Sequence, residues 1–567
     1  MTMYKSGDAF IEVLNAHNVD KIFINPGFEA IGVISAIASA RVEKKQAPQL
    51  VLCLDESVTA SAAYGNFMVS GNPQVVMVHS EVGSLQLGAN LVNLQWGRIP
   101  TVILAASQEI DRARTVWDGR PYDQGGIVRN SVKYERHLNG DEDLHEALID
   151  AFKAACTEPC GPVYLTFPMD YLYKELTKPA AAIAPASIDS LPKADDAVLG
   201  EMADILFQAK NPLIVCGSAG RHPQNVETLT KLAEALSANV LTGYSWMNFP
   251  TNHPLCVGIE QIGGSRKEDS GYEDADVILA IDYDMPYVGS APPVNPSTKI
   301  LHIDSDPLTQ GRVLWQRGAD LFLKADSREA LPALIGLYNN MLTESKKAEL
   351  ADRYKKLADI NESNRAKWYS DADKLAKQSK VTADYLCYCV NQLIDKDTIV
   401  VNHTLSHCAS VTEQIVRTEP KTWFGCPSGA IGWAPGAALG AASAAPDKTV
   451  VAFITDGGFV WGCPTSTLWT STSYKFPFLT IICNNNGYGA IRDVQEEVTP
   501  NVDIDQYFLA ESGVDFRPDY SLIAQGAGAF GKKITKADEV IPAIKEALEV
   551  VRNGKPAVLD VYLDSKQ

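Results

Sequence analysis

The sequence predicts an α/β protein made of three doubly wound, parallel-sheet blocks. Short apolar runs recur along the chain with helix-length segments between them, the pattern of buried parallel strands joined by crossovers. The runs fall into three groups, separated by a Pro/Ala-rich stretch and by a stretch dense in Lys, Glu, Asp and Arg. At 567 residues the chain is also too long for a single core.

The first block, residues 1–180, has strand candidates at 21–24, 50–54, 74–78, 101–104 and 163–166. Residues 179–187 read as a linker by composition. The second block, 190–340, has candidates at 212–216, 277–281 and 300–304. Residues 341–380 read as a solvated helical connector, not a binding patch. The third block, 381–567, has candidates at 398–400, 450–454, 478–483 and 557–562.

Composition narrows the function. Hydrophobic residues make up 46% and charged residues 21%, as in a globular protein. A formal charge of −19 argues against nucleic acid or an anionic membrane as partner. No apolar stretch reaches the ~18 residues of a membrane span. The chain starts in an amphipathic helix with no secretory leader, and its 11 cysteines form no CxxC pair; both point to a reducing, cytoplasmic location.

The chemistry concentrates at two strand ends in the third block. Run 450–454 leads into Thr455-Asp456-Gly457-Gly458, and run 478–483 into Asn484-Asn485-Asn486-Gly487. Parallel strands present such residues at their carboxyl ends, where α/β sheets bind ligands. A carboxylate, an amide oxygen and a loop carbonyl suit a hard cation such as Mg²⁺, which keeps oxygen ligands and bridges phosphates.

These strand ends resemble the thiamin diphosphate motif, a GDG followed by NN. The whole chain resembles the pyruvate oxidase and decarboxylase branch of thiamin diphosphate enzymes, in particular benzoylformate decarboxylase and the acetolactate synthase large subunit. The resemblance implies a pyrimidine-binding domain (1–180), a central domain (190–340) and a diphosphate- and Mg²⁺-binding domain (381–567). It implies Asp456, Asn485 and the Gly487 carbonyl as metal ligands, with Gly457, Gly458 and Tyr488 beside the diphosphate. Two departures stand out. Thr455 replaces the first Gly of the motif, and the separation of 29 residues between Asp456 and Asn485 is longer than usual, with the excess in 458–464.

The same resemblance assigns further roles. Glu56, after the second strand, would protonate the cofactor's aminopyrimidine ring. The alternative from the residues alone is an acid favoured at a helix N-terminus. His79, after the third strand, would shuttle protons, a task its ordinary pKa suits. The Gly429 carbonyl would take the 4′-amino group, and Ile431 would wedge the cofactor into its bent form. Ser406 or Thr404 would hold the diphosphate, with the choice open. Phe28, His403, Ala490, Ile491 and Val494 would line the substrate pocket. Phe28 stands where relatives carry a small or polar residue, which argues against benzoylformate itself. Leu104-Ala105-Ala106-Ser107 replaces the His pair of pyruvate decarboxylases. FAD in the central domain stays open, because Ser218-Ala219-Gly220-Arg221 is a weak signal and no GxGxxG fingerprint occurs.

The expected activity is thiamin diphosphate- and Mg²⁺-dependent C–C cleavage or formation on a 2-oxo acid or 2-hydroxy ketone. That describes a decarboxylase with carboligase capacity. The alternatives are an acetolactate-synthase-like carboligase and a 2-hydroxyacyl-CoA lyase. The expected partners are a small 2-oxo acid or aldehyde and further copies of the chain, as a dimer of dimers.

Overall fold

The computed structural model describes residues 4–107, 123–138, 143–176, 193–260, 271–283, 294–307, 319–375, 380–499, 501 and 518–564. The strands are β1 (Lys21–Asn25), β2 (Gln49–Leu52), β3 (Gln74–Val78), β4 (Thr101–Ser107), β5 (Tyr134–His137) and β6 (Val163–Pro168) in the first block. The second block has β7 (Pro212–Cys216), β8 (Asn239–Thr242), β9 (Cys256–Ile259), β10 (Val277–Ile281), β11 (Lys299–Asp304) and β12 (Leu321–Lys324). The third has β13 (Ile399–His403), β14 (Trp423–Gly425), β15 (Val450–Thr455), β16 (Leu479–Asn484), β17 (Phe530–Ile534) and β18 (Ala557–Tyr562). Each block forms one six-stranded sheet whose pairings are parallel.

The orders are β2-β1-β3-β4-β6-β5, β12-β11-β10-β7-β8-β9 and β14-β13-β15-β16-β18-β17. The first and third sheets therefore share one winding, and the central sheet has another. In each, the chain starts mid-sheet and winds outward in both directions. Each sheet thus has a switch point at its carboxyl edge, between β1 and β3, between β7 and β10, and between β13 and β15. The central strands β3, β7, β10 and β13 are buried throughout, because helices cover both faces; this is why they read as unbroken apolar runs.

The first and third blocks meet through two helices rich in small residues, Glu56–Ser70 and Trp433–Ala444. Their backbones touch: a Cβ added at Gly65 would overlap the Ala437 carbonyl. Asn66 Nδ2 donates to Ser443 Oγ (2.9 Å) across the same seam, and Tyr64 packs edge-on against Trp433.

The charged stretch is a helix, Glu344–Leu375, most of whose residues are exposed, and it is also pinned to the central block. Arg353 donates to the carbonyls of Ala209, Lys210 and Leu236 at 2.6–2.9 Å. Arg365 donates to those of His253 and Cys256, both at 3.1 Å. Carbonyls left over at helix and turn ends attract such cations. The expected linker at 179–187 lies outside the described residues.

Candidate active site

At the third sheet's carboxyl edge, β15 and β16 run side by side with Thr455 level with Cys483. That register sets Asp456 beside the Asn484–Gly487 turn. Thr455 caps the short helix Asp456–Trp461, its Oγ1 accepting from the Gly458 N–H (3.3 Å). A glycine there could not make this bond, which accounts physically for the departure from the motif. The excess residues of the motif form the end of that helix and a tight corner, Gly462-Cys463, before helix Pro464–Tyr474.

The two neighbouring asparagines have different duties. Asn484 turns into the sheet, where its Nδ2 donates to Asp560 Oδ1 (2.8 Å) and its Oδ1 accepts from the Asn486 N–H (3.1 Å). Asn485 is buried, and its Oδ1 has no hydrogen-bond partner. Asn486 adopts a left-handed backbone (φ 62°), which asparagine tolerates and which turns the chain back toward Asp456. Asp456 is itself 7% exposed. Burial pushes its carboxyl up, against the N–H groups of Gly457, Asn486 and Gly487. A buried acceptor with no donor is costly, and a cation repays that cost. Asp456, Asn485 Oδ1 and the Gly487 carbonyl thus have the chemistry of a Mg²⁺ site.

These residues open onto a cleft of about 610 Å³. Ser406, Gly429, Ile431, Asp456, Gly457, Gly458, Asn485, Gly487, Tyr488, Ala490 and Ile491 all line it, as the sequence leads one to expect. Gly429 and Gly457 have open space where a Cβ would stand, leaving room for a bulky group. Three of the residues expected in the third block do not line the cleft. The Thr404 hydroxyl donates back to Asn402 Oδ1 (2.9 Å), which leaves Ser406 as the hydroxyl facing it. His403 is buried edge-on to Trp433, and burial lowers its pKa to about 4. Val494 projects outward on helix Gly489–Val498. Leu405, Val460, Trp461 and Tyr520 also line the cleft, and sequence reasoning gave none of them a role. For Val460 and Trp461 the signal was the apolar and aromatic content of the longer segment after Asp456; Leu405 and Tyr520 lie outside that segment.

Glu56, His79 and Phe28 lie elsewhere, at the first sheet's carboxyl edge. Asp55 caps helix Glu56–Ser70 by accepting from the Ser57 N–H (2.8 Å), so Glu56 occupies the first helical position. Its carboxylate is 6% exposed and lies against Gly83, where an added Cβ would come within 2.6 Å of Oε1. His79 Nδ1 lies 2.5 Å from Glu29 Oε1, and the Ser80 N–H donates to the same oxygen (2.9 Å). Phe28 is half-exposed beside them.

Comparison with known proteins agrees with this layout. Three family profiles cover the chain in order: "Thiamine pyrophosphate enzyme, N-terminal TPP binding domain" over 4–127, the central domain over 199–334, and the C-terminal TPP binding domain over 406–561. The chain belongs to the thiamin diphosphate enzymes. Among curated relatives, it is 26% identical to the acetolactate synthase large subunit of Corynebacterium glutamicum, across 97% of this chain and 86% of that one. It is 24% identical to benzoylformate decarboxylase of Pseudomonas aeruginosa, across 98% of each. The solved Rhodococcus jostii thiamine diphosphate-dependent 4-hydroxybenzoylformate decarboxylase superposes with a TM-score of 0.81, at 22% identity, across 99% of this chain and 100% of that one. The chain is thus a thiamin diphosphate-dependent enzyme of the acetolactate synthase and benzoylformate decarboxylase type.

Proposed function

We propose that this enzyme cleaves or forms a C–C bond next to the carbonyl of a 2-oxo acid or 2-hydroxy ketone, using thiamin diphosphate and Mg²⁺. Asp456, Asn485 Oδ1 and the Gly487 carbonyl would hold the metal, and Ser406 the diphosphate. When bound, the cofactor supplies a carbon nucleophile and an electron sink for the bond that breaks. The observation that carries the reading is Asn485 Oδ1, a buried acceptor without a donor beside a buried carboxylate. Glu56 would give a proton to the cofactor's pyrimidine ring. His79 would pass protons to and from the substrate-derived group.

The cleft lining has no Lys, Arg or His among the described residues. Leu405, Val460, Trp461 and Ile491 give it apolar walls. This favours a 2-oxo acid with an uncharged, apolar side chain over a substrate bearing a second anion or a coenzyme A group. Glu56 and the metal residues lie on different sheets, and Glu56 does not line the cleft. Apolar side chains stand exposed near each: Leu54, Val82 and Leu85 on the first block, Val460, Trp461 and Tyr488 on the third. A second copy would cover both patches and bring Glu56 of one chain to the cleft of the other. The working unit is therefore a homodimer, or a dimer of such dimers.

The test is a panel of 2-oxo acids supplied with and without acceptor aldehydes, reading CO₂ and coupled products. Release of CO₂ that depends on thiamin diphosphate and Mg²⁺ supports the reading. Aldehyde alone identifies a decarboxylase, and an acyloin a carboligase. Turnover unaffected by removal of the metal would overturn the assignment.

A further inference from the structure

We propose that Asp560 is a positioning residue: it sets the direction of the Asn484 amide and thereby holds the Asn484–Gly487 turn in the shape that binds the metal. This rests on the reading of that turn as part of a Mg²⁺ site. Asp560 lies on β18 opposite Ile482 of β16, one pleat before Asn484. It is fully buried, and its two carboxylate oxygens have different partners. Oδ1 accepts from Asn484 Nδ2 (2.8 Å), and Oδ2 accepts from the Tyr520 N–H (3.3 Å) at the start of helix Tyr520–Gly526. Both donors are neutral, unlike the arginines that hold Asp282 and Asp304 at the central sheet. Burial pushes the carboxyl up to about 6, against those two donors, so it is ionised at neutral pH.

An ionised carboxylate only accepts. It therefore draws the NH₂ end of the Asn484 amide and turns the amide oxygen the other way. That oxygen accepts from the Asn486 N–H (3.1 Å). Reversing the amide would set donor against donor at Asn486 and acceptor against acceptor at Asp560. Asn486 holds a left-handed backbone (φ 62°), and this bond helps to fix it. The residues on either side of it, Asn485 and Gly487, are the proposed ligands. The carboxylate thus reaches the metal site through one amide. Its bond to Tyr520 is a separate, structural duty, because it takes up an N–H that the first turn of a helix leaves over.

The experiment compares Asp560→Asn with a swap, in which Asp560→Asn is combined with Asn484→Asp. In the single variant no arrangement satisfies every group. A new amide at position 560 that accepts from Asn484 turns its own NH₂ group against the Tyr520 N–H. One that accepts from Tyr520 turns it against the Asn484 NH₂ group. In the swap a carboxylate at position 484 accepts from both the new amide and the Asn486 N–H, and the oxygen of the new amide accepts from Tyr520. Titration calorimetry with thiamin diphosphate over a range of Mg²⁺ concentrations, at about pH 8, reads the metal requirement with the carboxylate charged. Thermal unfolding without cofactor reads stability.

Asp560→Asn should raise the Mg²⁺ concentration for half-maximal cofactor binding on the order of 10- to 100-fold. The swap should recover most of that loss. A merely structural carboxylate would lower the unfolding midpoint of Asp560→Asn and leave the Mg²⁺ requirement of the folded protein unchanged. That result would overturn the positioning role, as would a folded swap that binds no better than the single variant. If Asp560→Asn does not fold, the swap decides alone: a parent-like Mg²⁺ requirement supports the role and a raised one overturns it. Failure of both variants to fold would make the pair structural and overturn it too. A parent protein whose cofactor binding needs no Mg²⁺ would instead overturn the reading of the turn as a metal site.

Discussion

The switch points of the third and central sheets are built on comparable doubly wound parallel frames yet reach opposite ends. In the third, Asp456, held by backbone N–H groups, and Asn485 Oδ1, which has no donor, sit with the Gly487 turn at an open cleft. In the central sheet, Arg221 after β7 meets Asp282 after β10 at 3.1 Å. The first block reaches across this second switch point. Arg98 donates to Asp304 (3.0 Å) and Ser305 (3.1 Å), and Glu158 lies 3.4 Å from Arg221. Burial alone would raise the Asp304 carboxyl, but Arg98 and His302 hold it down, to about 2. At the central edge opposite charges pair across a joint between domains, although Arg221 Nε, Asp282 Oδ1 and Asp304 Oδ2 have no hydrogen-bond partner; at the third edge no Lys, Arg or His among the described residues lines the cleft. The winding fixes where a site can be, and the residues at the edge decide whether one exists. At the central switch point, where the sequence left FAD open, side-chain ion pairs cross the edge.

The strongest way to break this contrast is Asp456→Ala. If the third edge is a metal site, the change removes a direct ligand. The loss of Mg²⁺-supported cofactor affinity should then exceed the ~100-fold typical of a ligand's outer partners. Titration calorimetry with thiamin diphosphate and Mg²⁺ reads it, and unchanged binding would contradict the assignment.

At the central edge the expected effect is on stability instead. Arg98→Leu leaves Asp304 buried without its main counter-charge and should cost about 3–5 kcal/mol in unfolding free energy. Cofactor affinity of the folded protein should stay the same. Loss of cofactor binding without loss of stability would show that this edge is a site after all.

His403 sharpens the comparison through pH. It is buried at the end of β13 beside no charged partner, with its pKa lowered from 6.5 to about 4. The folded state keeps it neutral while the unfolded state takes up a proton. Its contribution to stability is therefore present above about 6.5 and is lost as pH falls toward 4. The loss is on the order of 3 kcal/mol, at 1.36 kcal/mol per pKa unit. A His403→Phe variant should show a flatter acid dependence of its unfolding midpoint over that window, and an unchanged slope would contradict the burial argument.

The smallest expected effect separates two hydroxyls. Ser406→Ala should weaken cofactor binding by about one hydrogen bond to a charged group, roughly 1.5–3 kcal/mol. Thr404→Ala should leave it unchanged, since that hydroxyl is already bound to Asn402. Equal losses would mean that Thr404 turns outward when the cofactor binds.

How legible each part was follows from its physics. The buried central strands announced themselves as apolar runs, and Asp456 and Asn485 as polar residues directly after them. The strands that went unread, β5, β8, β9, β12, β14 and β17, lie at or next to sheet edges; β5, β12 and β17 are partly exposed and carry charge, while β8 and β14 are buried but only four and three residues long. Glu29 was visible in sequence but had no assigned role, because its partner lies 50 residues on and only the pairing of β1 with β3 brings them together. Thr404 and Ser406 could not be told apart by type, since the direction of each hydroxyl depends on the turn after β13. The charged helix Glu344–Leu375 read as solvated, and most of it is exposed; its anchoring by Arg353 and Arg365 to backbone carbonyls leaves no mark in sequence.

The central claim is that the acceptor cluster around Asp456 works with Glu56 of a second copy. Subunit complementation tests it directly, using Glu56→Gln and Asp456→Ala chains, each inactive alone, co-expressed and purified as a hybrid through two different tags. If the site is shared between copies, a hybrid dimer has one doubly altered site and one intact site, and thiamin diphosphate-dependent turnover reappears at up to about half the parent's level per dimer. If both residues serve the same chain's site, every site in the hybrid is damaged, and the mixture stays as inactive as its parts.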